Sequence, residues 1–224
     1  MKTEESIKQM FDNLKNWIPL PKYQAERRLD LFFGLYLKDI LKNTMPKLFA
    51  NDELHIIPEF PLQIDKVNKE EANKDGNNKK GRMNDSNNID YLVFNETQKR
   101  IYAIELKTDC NSINDRTQIK YYKRLKNEIT AKELIEFAKK ARKGKYKKKY
   151  EYLADKVKEE YKDYEIGDVI YIVPRDCSAV DKIKVEGFKY ITFENIVKCL
   201  KDSQHDDFLL AQFLGFLETQ NKCK

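Results

Sequence analysis

The run "NIDYLVFNETQKRIYAIELKTD", residues 88–109, restricts the fold more than any other stretch of this chain. Both halves are rich in β-branched and aromatic residues and alternate in polarity, so they read as two strands joined by the turn "NETQKR". Alternation sets Ile101, Ala103, Glu105 and Lys107 on one face of the second strand and Tyr102, Ile104, Leu106 and Thr108 on the other. In the first strand Asp90 shares its face with Leu92 and Phe94. Two carboxylates and an ammonium thus stand where a strand ordinarily buries apolar groups. Burying any of them without a partner costs several kcal/mol, so the fold has to compensate them. A divalent cation does so directly: Mg²⁺ takes one or two carboxylates and fills its remaining positions with water and a substrate phosphate. A lysine two residues beyond Glu105 can orient a water or stabilise charge on a reacting phosphate.

The surrounding chain supplies an α/β frame for that strand pair. Residues 22–42 carry Leu29, Phe33, Leu37 and Ile40 at helical spacing, the signature of a buried stripe. Glu26 lies one turn earlier on the same stripe, and either meets solvent at the helix start or points into a site. "LHIIPEFPLQI", 54–64, reads as an edge or bent strand, because Pro58 and Pro61 cannot donate to a ladder. Glu59, between them, is either a ligand or a charge that deters edge pairing. Residues 65–88 are polar and Asn-rich and read as a flexible loop inserted within one domain.

From about Asp115 the period turns helical, with Gln118, Tyr122, Leu125 and Ile129 on one face. Thr130 and Glu133 form a capping box that predicts a new helix running to Gly144. Tyr146, Tyr150, Leu153, Val157 and Tyr161 mark a further helical stripe. "DVIYIVP", 168–174, is an unbroken apolar run, as in a strand buried on both faces. "ITFENIVKCL" and "DDFLLAQFLGFLE" read as two closing helices. The sum is one mixed α/β domain over residues 1–224, without internal repeats.

Charge is distributed unevenly. The net value is +6, yet residues 120–162 alone hold sixteen Lys/Arg against seven Asp/Glu. Such a segment suits a polyanion, or is a solvated lysine-rich surface. Within it "AKKARKGKYKKKY" carries Lys139, Lys140, Arg142, Lys143, Lys145, Lys147, Lys148 and Lys149 without an acid, interleaved with Tyr146 and Tyr150. The lysines suit phosphates, while the tyrosines either stack on bases or pack in a helix interface.

Cys110, Cys177, Cys199 and Cys223 show no CxxC pairing, and His55 and His205 stand alone, which argues against zinc or an iron–sulfur cluster and for free, buried thiols. The first twenty residues lack a continuous apolar core, so neither a signal peptide nor a membrane anchor is expected and the cytoplasm is the expected location.

Taken singly, each charged residue also fits a structural role: Glu105 with Lys107 as an exposed edge ladder, Asp90 as a turn cap, Gln118 with Tyr122 as a helix-to-sheet contact. Taken together, the order Asp90, Glu105-x-Lys107 resembles the PD-(D/E)XK nuclease superfamily. Gln118 and Tyr122 resemble the Q-x-x-x-Y motif of its RecB-type exonuclease branch, on the helix after the E-x-K strand. Ile89 stands where the motif has proline. The resemblance spans roughly residues 22–200 and implies a restriction-endonuclease-like core, a mixed four-stranded sheet flanked by helices. It implies Asp90 and Glu105 as Mg²⁺ or Mn²⁺ ligands, with Glu26 as a further one, and Lys107 as the catalytic lysine. Gln118 would hold substrate or lysine in place and Tyr122 would position the phosphate backbone or nearby bases. The expected activity is hydrolysis of DNA phosphodiesters, exonuclease-like rather than sequence-specific. The alternative is a catalytically silent nucleic-acid-binding or protein-interaction module on the same fold.

Overall fold

Helix α2 (Glu26–Thr44) forms where its stripe was expected: Leu29, Phe33, Leu37 and Ile40 are buried, with Tyr36 and Leu41 beside them. Glu26 in its first turn and Lys42 in its last complement the helix dipole. The structure, a computed structural model, describes residues 3–17, 26–62, 87–114, 116–140, 147–175, 177–204 and 207–222. The chain divides into two compact units, one of residues 1–52, 106–115 and 170–224, the other of 53–105 and 116–169.

The first unit holds α1 (Thr3–Trp17), α2, the one-turn helix α3 (Pro46–Phe49), α7 (Ser178–Val185), strand β5 (Lys189–Thr192), α8 (Phe193–Leu200) and α9 (Phe208–Lys222). Its centre is aromatic. Phe33 meets Phe213 edge-on at 5.1 Å between ring centroids, and Phe11 packs on Phe32 at 4.8 Å. Such pairs add to the area term because ring edges and faces carry opposite partial charge.

The second unit holds β1 (Leu54–Leu62), β2 (Asn87–Asn95), β3 (Arg100–Leu106), α4 (Arg116–Glu128), α5 (Ala131–Lys140) and α6 (Lys147–Lys156). The hairpin of β2 and β3 is antiparallel, with Leu92 opposite Ala103 and Phe94 opposite Ile101. Its turn is held by Gln98 N–H donating to Asn95 Oδ1 at 2.9 Å, and Lys99 adopts a left-handed φ of 54°. The capping box at α5 is formed: Thr130 N–H donates to Glu133 Oε2 at 3.0 Å and Glu133 N–H to Thr130 Oγ1 at 3.2 Å.

All strands belong to one mixed five-stranded sheet of order β1-β2-β3-β4-β5, where β4 is Glu165–Val173. The α/β class is as expected, and β1 with its two prolines lies at an edge. The strand count is corrected from four to five. The added strand, β5, pairs parallel with β4 through Ile191 opposite Ile172. In "ITFENIVKCL" Thr192 both ends that strand and caps α8, accepting from Asn195 N–H.

Three further boundaries differ from expectation. Asn87 and Asn88 belong to β2 rather than to the inserted loop, whose residues 65–86 lie outside the described ones. The stripe through Val157 and Tyr161 is buried, yet α6 stops at Lys156 because Lys158 is extended (ψ 147°), and a 3-10 turn follows over Glu159–Asp163. The stretch predicted to carry α5 on to Gly144 falls outside the described residues beyond Lys140.

Cys110, Cys177 and Cys199 are free as expected, but the first two are only half-buried and the third is exposed. Partial burial, followed by the neighbouring Cys177, pushes the Cys110 thiol up to about 11, so it offers no thiolate at neutral pH. Among the described residues, no helix is long and apolar enough to cross a membrane.

Candidate functional site

Strand β3 delivers Glu105 near its end, where it is 2% exposed. Both carboxylate oxygens accept hydrogen bonds from α4: Gln118 Nε2 donates to Oε1 and the Tyr122 hydroxyl donates to Oε2. The four-residue spacing of Gln118 and Tyr122 is one helical turn, which is why a single helix can bring both donors to one carboxylate. Tyr122 is fully buried and packs edge-on against Tyr121, with centroids 5.3 Å apart. Burial first, and the charge of Glu105 second, push the Tyr121 hydroxyl well above its ordinary value. Tyr121 was not singled out by sequence. Its only signal there was adjacency to Tyr122.

Asp90, half-buried on β2, is placed by the hairpin register. The last ladder pair is Tyr91 opposite Ile104, and the next position in that register sets Asp90 opposite Glu105. Opposed residues of an antiparallel pair share a face of the sheet. On the other side of β2, Pro58 opposes Tyr91 and Phe60 opposes Ile89, so Glu59 falls at the Asp90 position of β1. Glu59 is withdrawn from that row. Its backbone is left-handed (φ 50°), its side chain is exposed, and its Oε2 accepts from Asn88 Nδ2 at 2.9 Å.

Asp90, Glu105, Gln118 and Tyr122 all lie in the second unit. Lys107 and Glu26 belong to the first. Lys107 is 6% exposed and follows the last residue of β3, its backbone N–H donating to Ile172 O at 2.8 Å. Glu26 is half-exposed at the first position of α2. Of the basic segment, Lys139 and Lys140 end α5, and Lys147, Lys148 and Lys149 open α6, with Lys148 exposed. Arg142, Lys143 and Lys145 lie outside the described residues, as does Tyr146.

The donor set bears on whether a cation fits. Among the described residues, no group of three or more His, Cys, Asp and Glu is placed to hold a metal. Two carboxylates on neighbouring strands match the sparser mode of Mg²⁺, which leaves most positions to water and phosphate. A carboxylate oxygen has two lone pairs, so accepting one hydrogen bond does not by itself bar it from coordinating a metal. Hydrogen bonds of that kind fix the orientation of a ligating carboxylate. In donor type, the two carboxylates are of the kind a hard divalent cation takes. Comparison with protein-family models, with curated proteins and with solved structures returned no match.

Proposed function

We propose that this protein is a Mg²⁺- or Mn²⁺-dependent deoxyribonuclease of PD-(D/E)XK type, acting in the cytoplasm and exonuclease-like in preference. One observation carries the reading: a buried Glu105 has its two oxygens gripped by Gln118 and Tyr122, and the β2–β3 register, continued one residue past Tyr91 and Ile104, sets Asp90 opposite it. Four residues singled out by motif thus fall together in one unit, and that agreement between spacing and geometry supports the family assignment.

In this reading Asp90 and Glu105 hold the cation, and Gln118 and Tyr122 keep the Glu105 carboxylate in one orientation. When bound, the cation would lower the pKa of its water and neutralise charge building on the phosphoryl oxygens. Lys107 is assigned as catalytic lysine on its spacing from Glu105, orienting the attacking water or donating to the phosphate. The water oxygen bonds to phosphorus in line with the leaving oxygen, and the P–O bond to that oxygen breaks. Glu26 is kept as a further ligand on sequence position alone. The lysines of 139–149 would bind the DNA backbone, with an affinity that falls steeply as salt rises.

The test is incubation of the purified protein with linear and circular, single- and double-stranded DNA in Mg²⁺, Mn²⁺ or EDTA, beside Lys107→Ala. Cleavage should need the metal, favour linear substrate, and fall about 10²-fold or more in the variant. Cleavage that persists in EDTA, or survives Lys107→Ala, overturns the proposal. Salt-sensitive DNA binding without cleavage by the native protein would establish the silent nucleic-acid-binding module in its place.

A further inference from the structure

A cavity of about 720 Å³ opens in the second unit against β1 and the C-terminal half of α6. That volume lies in the range of ligand pockets, which run from about 300 to 1,000 Å³. Ile57 and Pro58 give it an apolar wall, Glu59 and Asn88 a polar rim, and Tyr152 and Lys156 of α6 its opposite side. Tyr152 is 65% exposed, although an aromatic of that size gains by being covered. Lys156 Nζ lies over one face of that ring, 5.1 Å from its centre, so a base stacks on the opposite face with the cation close by. His55 ties the helix down, with Nε2 3.1 Å from the carbonyl oxygen of Lys156.

Two features link this cavity to the proposed nuclease site. Asn88 lies two residues from Asp90 along β2, and alternation therefore sets both on one face, about 6.6 Å apart along the strand. Glu59, the residue whose left-handed backbone takes it out of the carboxylate row, bonds to Asn88 at the rim. Left-handed non-glycine residues cost free energy and are concentrated at functional sites. Near the start of the helix that supplies Tyr152, Lys148 is exposed, which makes its approach attractive to phosphate.

We infer that the cavity seats the unpaired base of the nucleotide next to the scissile phosphate, stacked on Tyr152, with Lys156 beside its phosphate. The identity of the polymer rests on the nuclease reading. The inference adds that the substrate is a single strand or a frayed end, because a base paired within a duplex cannot enter a lateral cavity. Glu59 and Asn88 meet the polar edge of the base, and Ile57 and Pro58 cover its apolar surface.

The experiment measures binding in EDTA, where metal-dependent cleavage cannot interfere. A single-stranded oligonucleotide containing 2-aminopurine and the duplex of the same sequence are titrated with the native protein, Tyr152→Ala and Tyr152→Trp. Native protein should change the 2-aminopurine emission of the single strand. Tyr152→Ala should weaken that binding roughly five- to a hundredfold, the usual effect of losing one stacking aromatic, and leave duplex affinity unchanged. Tyr152→Trp should retain it. Tyr152 is an exposed side chain, and a thermal melt coincident with that of the native protein shows that the fold is intact. Equal weakening on single strand and duplex, no weakening on either, or no binding by the native protein overturns the inference. Metal-dependent cleavage without selective loss in Tyr152→Ala keeps the nuclease and removes the base cavity. Selective loss without any cleavage in Mg²⁺ does the reverse.

Discussion

Two carboxylates of the second unit, Glu105 and Glu96, are each held by a tyrosine hydroxyl, and they are otherwise opposites. Glu105 lies at the buried end of β3, where its oxygens accept from the neutral donors Gln118 and Tyr122. Glu96 lies at the β2–β3 turn, where its Oε1 accepts from the Tyr161 hydroxyl and from the Lys158 ammonium, the latter at 2.6 Å. Water reaches it, since 17% of its side chain is exposed. The field of Glu105 is felt nearby: it helps push the Tyr121 hydroxyl upward. Glu96 joins a turn to the 3-10 segment over Glu159–Asp163 within reach of water, whereas Glu105 is held in one orientation by two helix donors and shut away from water.

The contrast breaks or holds most visibly in activity. Glu105→Gln keeps the shape of the side chain and removes the charge that a cation would need. It should lower Mg²⁺-dependent cleavage of linear DNA by about 10²-fold or more. Glu96→Gln should leave the initial rate at the native value. Equal losses in the two variants would mean that both glutamates serve only to hold the unit together. Stability gives a second, smaller contrast. Tyr122→Phe removes a donor from a carboxylate shielded from water, and should cost about 1–3 kcal/mol in urea unfolding. Tyr161→Phe leaves Glu96 with Lys158 and with solvent, and should cost about 1 kcal/mol or less. A shift in the urea midpoint at constant slope would attribute both losses to the folded state. If Tyr161→Phe proves the more costly, its hydroxyl bond to Glu96 holds the fold more strongly than the bond from Tyr122 to Glu105, because the ring that stacks on Phe94, with centroids 4.2 Å apart, is kept in the variant.

Much of this arrangement was legible in local sequence because local physics decides it. The α2 stripe, the Thr130–Glu133 capping box and the alternation through β2 and β3 depend on neighbours within a turn or two of the chain, and each forms as expected. Gln118 and Tyr122 could be paired for the same reason, being one turn apart. β5 was not legible, because a four-residue parallel strand takes its identity from β4, far away in sequence, and "KYIT" runs into a helix of strong apolar periodicity. Glu59 illustrates the same limit within the site. Its register position puts it in line with Asp90, while a positive φ, which glutamate rarely adopts, takes it to Asn88 instead. The helix α1 carries Phe11 and Leu14 as its buried residues, too sparse a stripe to stand out in a charged segment.

The smallest expected effect concerns pH and tests the Glu96 side of the comparison. The Lys158 ammonium first, and the Tyr161 hydroxyl second, hold the Glu96 carboxyl below its ordinary value of 4.5. Near and below that value the unfolded chain binds more protons at this position than the folded one does. Stability therefore rises with pH across the window. The contribution of Glu96 is complete above pH 4.5 and is lost as pH falls through the depressed folded value. Tyr161 runs with the opposite sign. Burial first, and Glu96 second, raise its hydroxyl above the ordinary value of 10, so its contribution is present below pH 10 and is lost as pH climbs beyond it. Glu96→Gln should consequently melt below the native protein at neutral pH, and the gap should close progressively in acid. High salt should shrink the gap, because Lys158 is exposed and its attraction is screened. A gap unchanged from neutral pH into acid would show that Glu96 carries no charge-dependent bond, and the contrast with Glu105 would then reduce to burial alone.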